Sequence, residues 1–438
     1  NSELFFNSPI IGHDVMNGRG NDTDYDGESG DDIMFQGLGV QRNNGMAGFD
    51  WAINKDNPVA ADSDLGIPIF VNQQANILRD RYDLVEGLSG WKFDDTLTGR
   101  DQVFGAADAA GAAAVVDPNA PFLSYSNALT TEGVARIDGF ADLVAHLGRE
   151  TINAASGETH EVVVFNDLDI VRDANGVAID VTGEAHDIIL GGGGNDIIQG
   201  KDGDDIIDGD RWLNVRIGIN DVDGNPMASA EHMTSQVVDL NGELMFGGKT
   251  LDQLMLSREL NPGQLYIVRE ILDGNQAGDQ DVAVYRDVVT NYTFVRNADG
   301  STTVTHNAVL PDNTSDGSDR LINMEKMAFS DGAGGTIVYD INALVPVAAS
   351  GAPTISNSAP TAAKTAWIDD SCSARPTWCR GRRSPRSMST PAWALSARAR
   401  SSKTPRVSRT FQKNPRTTPP MSSPRSSASS KNSAAKAM

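Results

Sequence analysis

The chain has 438 residues, 39% of them hydrophobic, with 36 Lys+Arg against 59 Asp+Glu and a net charge of −23. From Lys364 onward there are 16 basic and 2 acidic residues, which leaves 20 and 57 before it, so a body of −37 precedes a tail of +14. So acidic a body repels nucleic acid and favours a cationic counter-charge.

Both cysteines, Cys372 and Cys379, lie in the tail, which excludes a disulfide framework and a thiolate metal site from the body. No apolar stretch approaches the roughly 20 residues that a membrane-spanning helix needs.

In chain order, residues 1–40 carry degenerate glycine and aspartate repeats: Gly12-His-Asp14, Gly18-Arg-Gly-Asn-Asp22 and Gly27-Glu-Ser-Gly-Asp-Asp32. Aspartates eight and then ten residues apart predict a distorted roll end containing a deletion and an insertion, with Asp22, Asp24 and Asp32 as its metal ligands. Residues 41–181 read as a mixed α/β region. Helical spacing of Ile77, Leu78, Tyr82, Leu84 and Val85 predicts a helix over residues 75–88, and residues 131–147 contain a second amphipathic stretch. The segment SGWKFDDTLTG around Asp95 reads as an ordinary polar turn between strands.

The strongest signal lies in residues 182–215, where three nine-residue units follow without a gap: TGEAHDIIL, GGGGNDIIQ and GKDGDDIID. Asp187, Asp196 and Asp205 fall nine residues apart, and Ile189, Ile198 or Ile207 follows each two residues later. This is the nonapeptide of calcium-binding parallel β-rolls. Glycines permit the positive-φ conformations of a tight six-residue turn, and the remaining three residues make a short strand. Two units complete a coil, so loops two units apart stack about 4.8 Å from one another. That is twice a calcium–oxygen distance of about 2.4 Å, which lets an ion draw oxygens from both loops. The expected ligands are Asp187, Asp196 and Asp205, with the loops of Gly183, Gly192, Gly194 and Gly203. Asp187 and Asp205 should face each other across one ion. Asn214 stands where a further Asp would continue the array, which predicts that Trp212 caps the roll.

Residues 216–280 read as a helical segment, comprising a Met-rich stretch over 227–260 and a helix over 261–272 opened by Pro262. The period then switches to two, and residues 281–344 read as a small antiparallel β module with Asn297-Ala-Asp-Gly-Ser301 as a hairpin loop. An Ala/Ser/Pro linker follows over 345–363. Residues 364–438, rich in Arg, Ser, Pro and Ala without apolar period, read as a disordered tail produced by out-of-frame translation of a GC-rich gene. The fold expected is therefore mainly β with helical insertions: a parallel β-roll of calcium-binding repeats, a small antiparallel β module and a disordered C-terminal tail.

Several longer motifs follow in order: Val40-Gln-Arg-Asn-Asn-Gly-Met46, Gly48-Phe-Asp-Trp51, RDRYDLVEGLSGW (79–91), DIIDGDRWLNVRI (205–217), NPGQLYIVREIL (261–272), and YTF with LINMEKMAFSDG (292–294, 321–332). Over residues 12–344 the chain resembles the C-terminal region of large bacterial proteins whose N-terminal part is an animal-type haem peroxidase domain. The resemblance implies calcium-binding repeats and β modules lying downstream of a domain that holds haem between two histidines. No position here matches that domain's catalytic motif, so haem is expected only in an upstream domain. HExxH, GxSxG, a P-loop and paired CxxC are also absent.

The expectation is a calcium-binding, non-catalytic region of a secreted peroxidase-like protein that folds or stiffens on meeting extracellular calcium. The alternatives are part of an active haem peroxidase, or an adhesin or surface-layer module. Calcium ions are the expected partners, with the cell surface or other domains of the parent protein beyond them; nucleic acid and a membrane span are not expected.

Overall fold

A computed structural model describes residues 12–70, 76–101, 128–153, 159–181, 185–311, 314–345 and 354–356. The tail from residue 364 and almost all of the linker lie outside them. The described chain is mainly β, built from very short strands that stack in parallel.

One ten-stranded sheet contains, in spatial order, Val15–Asn17, Ile33–Phe35, Trp51–Ile53, Gly87–Ser89, Ile188–Leu190, Ile206–Asp208 and Ser318–Ile322, all parallel. It ends in the antiparallel strands Thr302–His306, Tyr292–Arg296 and Thr354–Ser356. Strands that lie between these in sequence form the opposite layer. Thr23–Asp26, Gln41–Asn44 and Arg81–Asp83 pair in parallel. So do Asp62–Asp64, Thr96–Thr98, Ile197–Gln199, Val282–Val288 and Lys326–Ser330, followed by antiparallel Thr336–Asp340.

A central residue of most of these short strands belongs to a core shared by the two layers. Met34, Ala52, Leu88, Ile189, Ile207 and Leu321 from the first meet Tyr25, Tyr82, Leu97, Ile198, Ala283 and Met327 from the second. The flanking residues of the first sheet are buried too. Ile33, Phe35, Trp51, Ile53, Ile188 and Leu190 pack under Leu129, Val134, Phe140, Leu143, Leu213 and Val215. A sheet covered on both faces needs continuous apolar triplets, which is what Ile33-Met-Phe35 and Ile188-Ile-Leu190 supply. The second layer turns its flanking residues outward and reads accordingly as Thr96-Leu-Thr98.

The covering elements are two excursions from the stack. In the first, residues 131–147 fold as two short helices, Thr131–Ala135 and Phe140–Leu143. In the second, Arg211–Asn220 runs antiparallel to Leu265–Asp273, pairing from Arg211↔Asp273 to Ile219↔Leu265.

Several expected elements differ. Of the helix expected over residues 75–88, the described residues 76–88 form no α-helix; a turn leads into strands Arg81–Asp83 and Gly87–Ser89, because Tyr82 and Leu88 are taken by the core while Leu78 stays exposed. Residues 261–272 begin with a 3-10 turn at Pro262–Gln264 and continue as a strand, since Tyr, Ile and Val favour extended backbone once a partner strand is available. Over 227–260 the α-helix is confined to Leu251–Ser257, behind strands Pro226–Ala230 and Val238–Asp239. Trp212 lies within the strand Arg211–Asn220 against Trp91, and it does not end the stack, since Ile206–Asp208 pairs onward in parallel with Ser318–Ile322. The strands of 281–344 form the expected hairpin, but they are not a separate module: Val282–Val288, Ser318–Ile322 and Lys326–Ser330 continue the two parallel layers.

Candidate metal-binding ladder

An acidic residue stands directly before most of the stacked strands, with an apolar core residue two positions later. The strand enters the core through that second residue, which leaves the acid at the turn beside its equivalents in neighbouring layers. In the first sheet the amide of Asp14 donates to Asp32 Oδ1 (2.6 Å), that of Asp32 to Asp50 Oδ1 (2.7 Å) and that of Asp50 to Glu86 Oε2 (2.9 Å). The pattern resumes with Asp187 to Asp205 Oδ1 (2.8 Å) and Asp205 to Asp319 Oδ1 (3.1 Å). The second layer repeats it: Ala61 to Asp95 Oδ1 (2.6 Å), Asp95 to Asp196 Oδ1 (2.7 Å), Asp196 to Asp281 Oδ1 (2.8 Å) and Asp281 to Glu325 Oε2 (2.9 Å).

One oxygen of each acid is thus used to tie adjacent layers together. The other is often left over. Asp32, Asp50, Asp196 and Asp205 each bury an Oδ2 that accepts no hydrogen bond. These oxygens lie against the first glycine of the preceding turn: a Cβ on Gly191 would collide with Asp196 Oδ2 and Gly209 O, and one on Gly45 with Asp50 Oδ2 and Leu84 O. A carboxylate oxygen and a backbone carbonyl therefore share each of these crevices.

Burial raises the carboxyls of Asp95 to about 6, Asp32 and Asp281 to about 7, and Asp196 to about 8. Asp205 and Asp50 are raised well above the ordinary value, first by burial and then by the neighbouring carboxylates of Asp319 and Glu86. Closely spaced, dehydrated acids of this kind hold charge only when a cation accompanies it. Among the described residues no three His, Cys, Asp or Glu side chains converge on one point. An ion here would complete its shell with backbone carbonyls, a donor set of oxygens suited to calcium.

A second ladder uses the residue just before each acid. Asp31 Oδ1 accepts from the amide of Phe49, Asp94 Oδ1 from Asn195 and Asp204 Oδ1 from Ser318. His13 and His186 take the same part through Nδ1, accepting from the amides of Asp31 and Asp204, both at 2.8 Å. His186 also bonds Asp169 through Nε2 at 2.7 Å and stacks on Phe165.

Of the residues expected from sequence, Asp32, Asp187, Asp196 and Asp205 are all fully buried members of the ladder. Gly192, Gly194 and Gly203 have φ of 104°, 128° and 105°, in turns where a Cβ would strike backbone of the adjacent layer. Gly183 lies outside the described residues. Asp205's carboxylate rests on the amide of Asp187, while Asp187's own carboxylate is held by Arg100. Asp22 and Asp24 are exposed; Asp22 accepts from the amide of Val40, and Asp24 pairs with Arg42 at 3.2 Å.

Two expectations are corrected. Asp95 is not in an ordinary polar turn, since it is a rung between Ala61 and Asp196. The first block contains no deletion or insertion either, because its rungs are Asp14, Asp32 and Asp50, each 18 residues from the next. That spacing, with Gly48-Phe-Asp-Trp51 carrying Asp50, was available in the sequence. Glu86, Asp281, Asp319 and Glu325 share only the sparse acid-x-apolar signal, and they follow long excursions. No family model, curated protein or solved structure matches the chain.

Proposed function

We propose that this chain is a calcium-binding, non-catalytic segment whose stacked layers are completed by ions held between successive turns. The observation that carries the reading is the set of buried, hydrogen-bond-free oxygens of Asp32, Asp50, Asp196 and Asp205. Left as charged groups without a partner they would each oppose folding. A calcium ion bonded to such an oxygen and to a neighbouring turn carbonyl converts that cost into a link between layers. The residues that would hold it are the ladder acids and the carbonyls at the turn glycines. Extracellular calcium, abundant enough to fill weak sites, is the setting in which such a segment would be stiff, and a low-calcium cytosol the one in which it would be loose.

The test is thermal unfolding of the full chain by circular dichroism in calcium and in chelator, for wild type and the isosteric Asp196→Asn/Asp205→Asn variant. A ligand present at a hundredfold excess over Kd that binds only the folded state adds about 2.7 kcal/mol. Wild type should melt higher in calcium, and the variant should lose most of that gain. Superimposable wild-type curves in calcium and chelator would remove the basis of the reading.

A further inference from the structure

The first-sheet ladder is interrupted once, between Glu86 and Asp187, and a guanidinium fills the interruption. Arg100 follows the strand Thr96–Thr98 by two residues and is only 8% exposed. Its amide donates to Asp187 Oδ2 at 2.6 Å and its Nε to Asp187 Oδ1 at 2.7 Å. Nη1 reaches Glu86 Oε1 at 3.1 Å, and Nη2 reaches the carbonyl of His186 at 2.9 Å. Glu86 and Asp187 are themselves fully buried.

This rung differs from its neighbours in the one respect that points to a metal. Asp32, Asp50, Asp196 and Asp205 leave an oxygen unpartnered, whereas both oxygens of Asp187 are taken by Arg100. The crevice is otherwise of the same kind, since a Cβ on Gly99 would collide with Asp187 Oδ2 and Gly200 O. Arginine is a permanent cation whose planar fork can serve two acids and a carbonyl together.

We infer that Arg100 is a built-in cation standing where neighbouring rungs take calcium, so that the junction between the Asp14–Glu86 and Asp187–Asp319 blocks stays closed at any calcium concentration. The inference rests on the calcium-binding reading and adds to it which rung needs no ion.

Equilibrium dialysis with radioactive calcium on the full chain tests it, comparing wild type, Arg100→Gln and Arg100→Lys. Arg100→Gln should bind one more calcium per chain than wild type, while Arg100→Lys, which keeps a cation, should bind the same number. Should Arg100→Gln fail to fold even in calcium, amide hydrogen exchange on wild type decides. The Arg100 amide should be equally protected in calcium and chelator, while the amides of Asp95 and Asp196 gain at least about tenfold on adding calcium. Calcium-loaded wild type with no extra ion in Arg100→Gln, or an Arg100 amide that follows calcium as Asp196 does, overturns this inference alone. A wild type that takes up no calcium overturns the reading beneath it.

Discussion

The amide of Asp196 donates to Oδ1 of Asp281 at 2.8 Å across 85 residues of sequence, the same bond, at the same length, that Asp187 makes to Asp205 across 18. The ladder is therefore a property of stacked turns and not of contiguous repeats. A whole antiparallel excursion, containing Arg211–Asn220 and Leu265–Asp273, leaves and returns without disturbing the rung.

The buried acids give metal-free protein an unusual pH dependence. Asp32 and Asp281 rise to about 7 and Asp196 to about 8, against an unfolded value of 3.8. Acids whose folded value is raised stabilise the fold through their protonated form, and that contribution is lost as pH climbs through 7 and 8. His13 acts in the opposite direction, since burial and the adjacent Arg136 lower its value and protonation in acid opposes folding. Between about pH 5 and 8 the acids dominate by number. In chelator the melting temperature should fall across this range, with a loss on the order of a few kcal/mol, since a tenfold change in proton affinity is worth about 1.4 kcal/mol. In calcium the profile should flatten, and calcium affinity should weaken as pH drops below about 7. A melting series in both conditions measures this; a chelator profile that rises with pH would contradict it.

The two isoleucines of one repeat should behave differently. Ile198 is fully buried in the core between the layers, whereas Ile197 on the same strand is 37% exposed. Ile198→Ala should cost about 2–5 kcal/mol from lost burial and the cavity left behind. Ile197→Ala should cost less than about 1.5 kcal/mol. Urea unfolding in saturating calcium separates them, and equal losses would mean that the strand does not alternate as described.

How far this arrangement was legible depends on which signal each residue carries. Ile189, Ile198 and Ile207 announce their core role because glycine turns fix the period around them. Asp50 could be read from its 18-residue spacing to Asp32. Asp281 and Glu325 could not, because the 85 and 44 residues that separate them from the rungs they join erase the count. The helix expected over residues 75–88 failed for a related reason. Tyr82, on its short strand, and Val85, in the turn after it, are both taken by the core, and their spacing of three also suits one helical face.

His186 joins the excursion to the stack, and its removal should be costly. Its Nδ1 accepts the Asp204 amide, its Nε2 bonds Asp169, and its ring lies against Phe165 with centroids 5.2 Å apart. His186→Ala removes the stacking and leaves a half-buried amide and a buried carboxylate with one bond fewer each, which predicts a loss of about 2–4 kcal/mol. His186→Asn can restore the bond to the amide but not the stacking, so it should recover part of the loss. Chemical denaturation of the three proteins at one calcium concentration tests the order, and an alanine variant as stable as wild type would refute it.

Two glycines with left-handed backbone distinguish conformational strain from the crowding of stacked turns. Gly176, in the turn between Ile170–Arg172 and Ala178–Val181, has φ of 83° and nothing within 4 Å of an added Cβ. Gly194 has φ of 128°, and a Cβ there would meet the carbonyl of Phe93 and the amide of Asp94 from the adjacent turn. Gly176→Ala meets only the backbone preference, a cost of about 1 kcal/mol. Gly194→Ala must also push two turns apart, and those turns carry the bond from Asp95 to Asp196. Its loss should exceed that of Gly176→Ala by at least about 1–2 kcal/mol and should be accompanied by weaker calcium binding. Denaturation and calcium titration of both variants check this, and equal losses with unchanged calcium affinity would show that the turns are not held in register by close backbone contact.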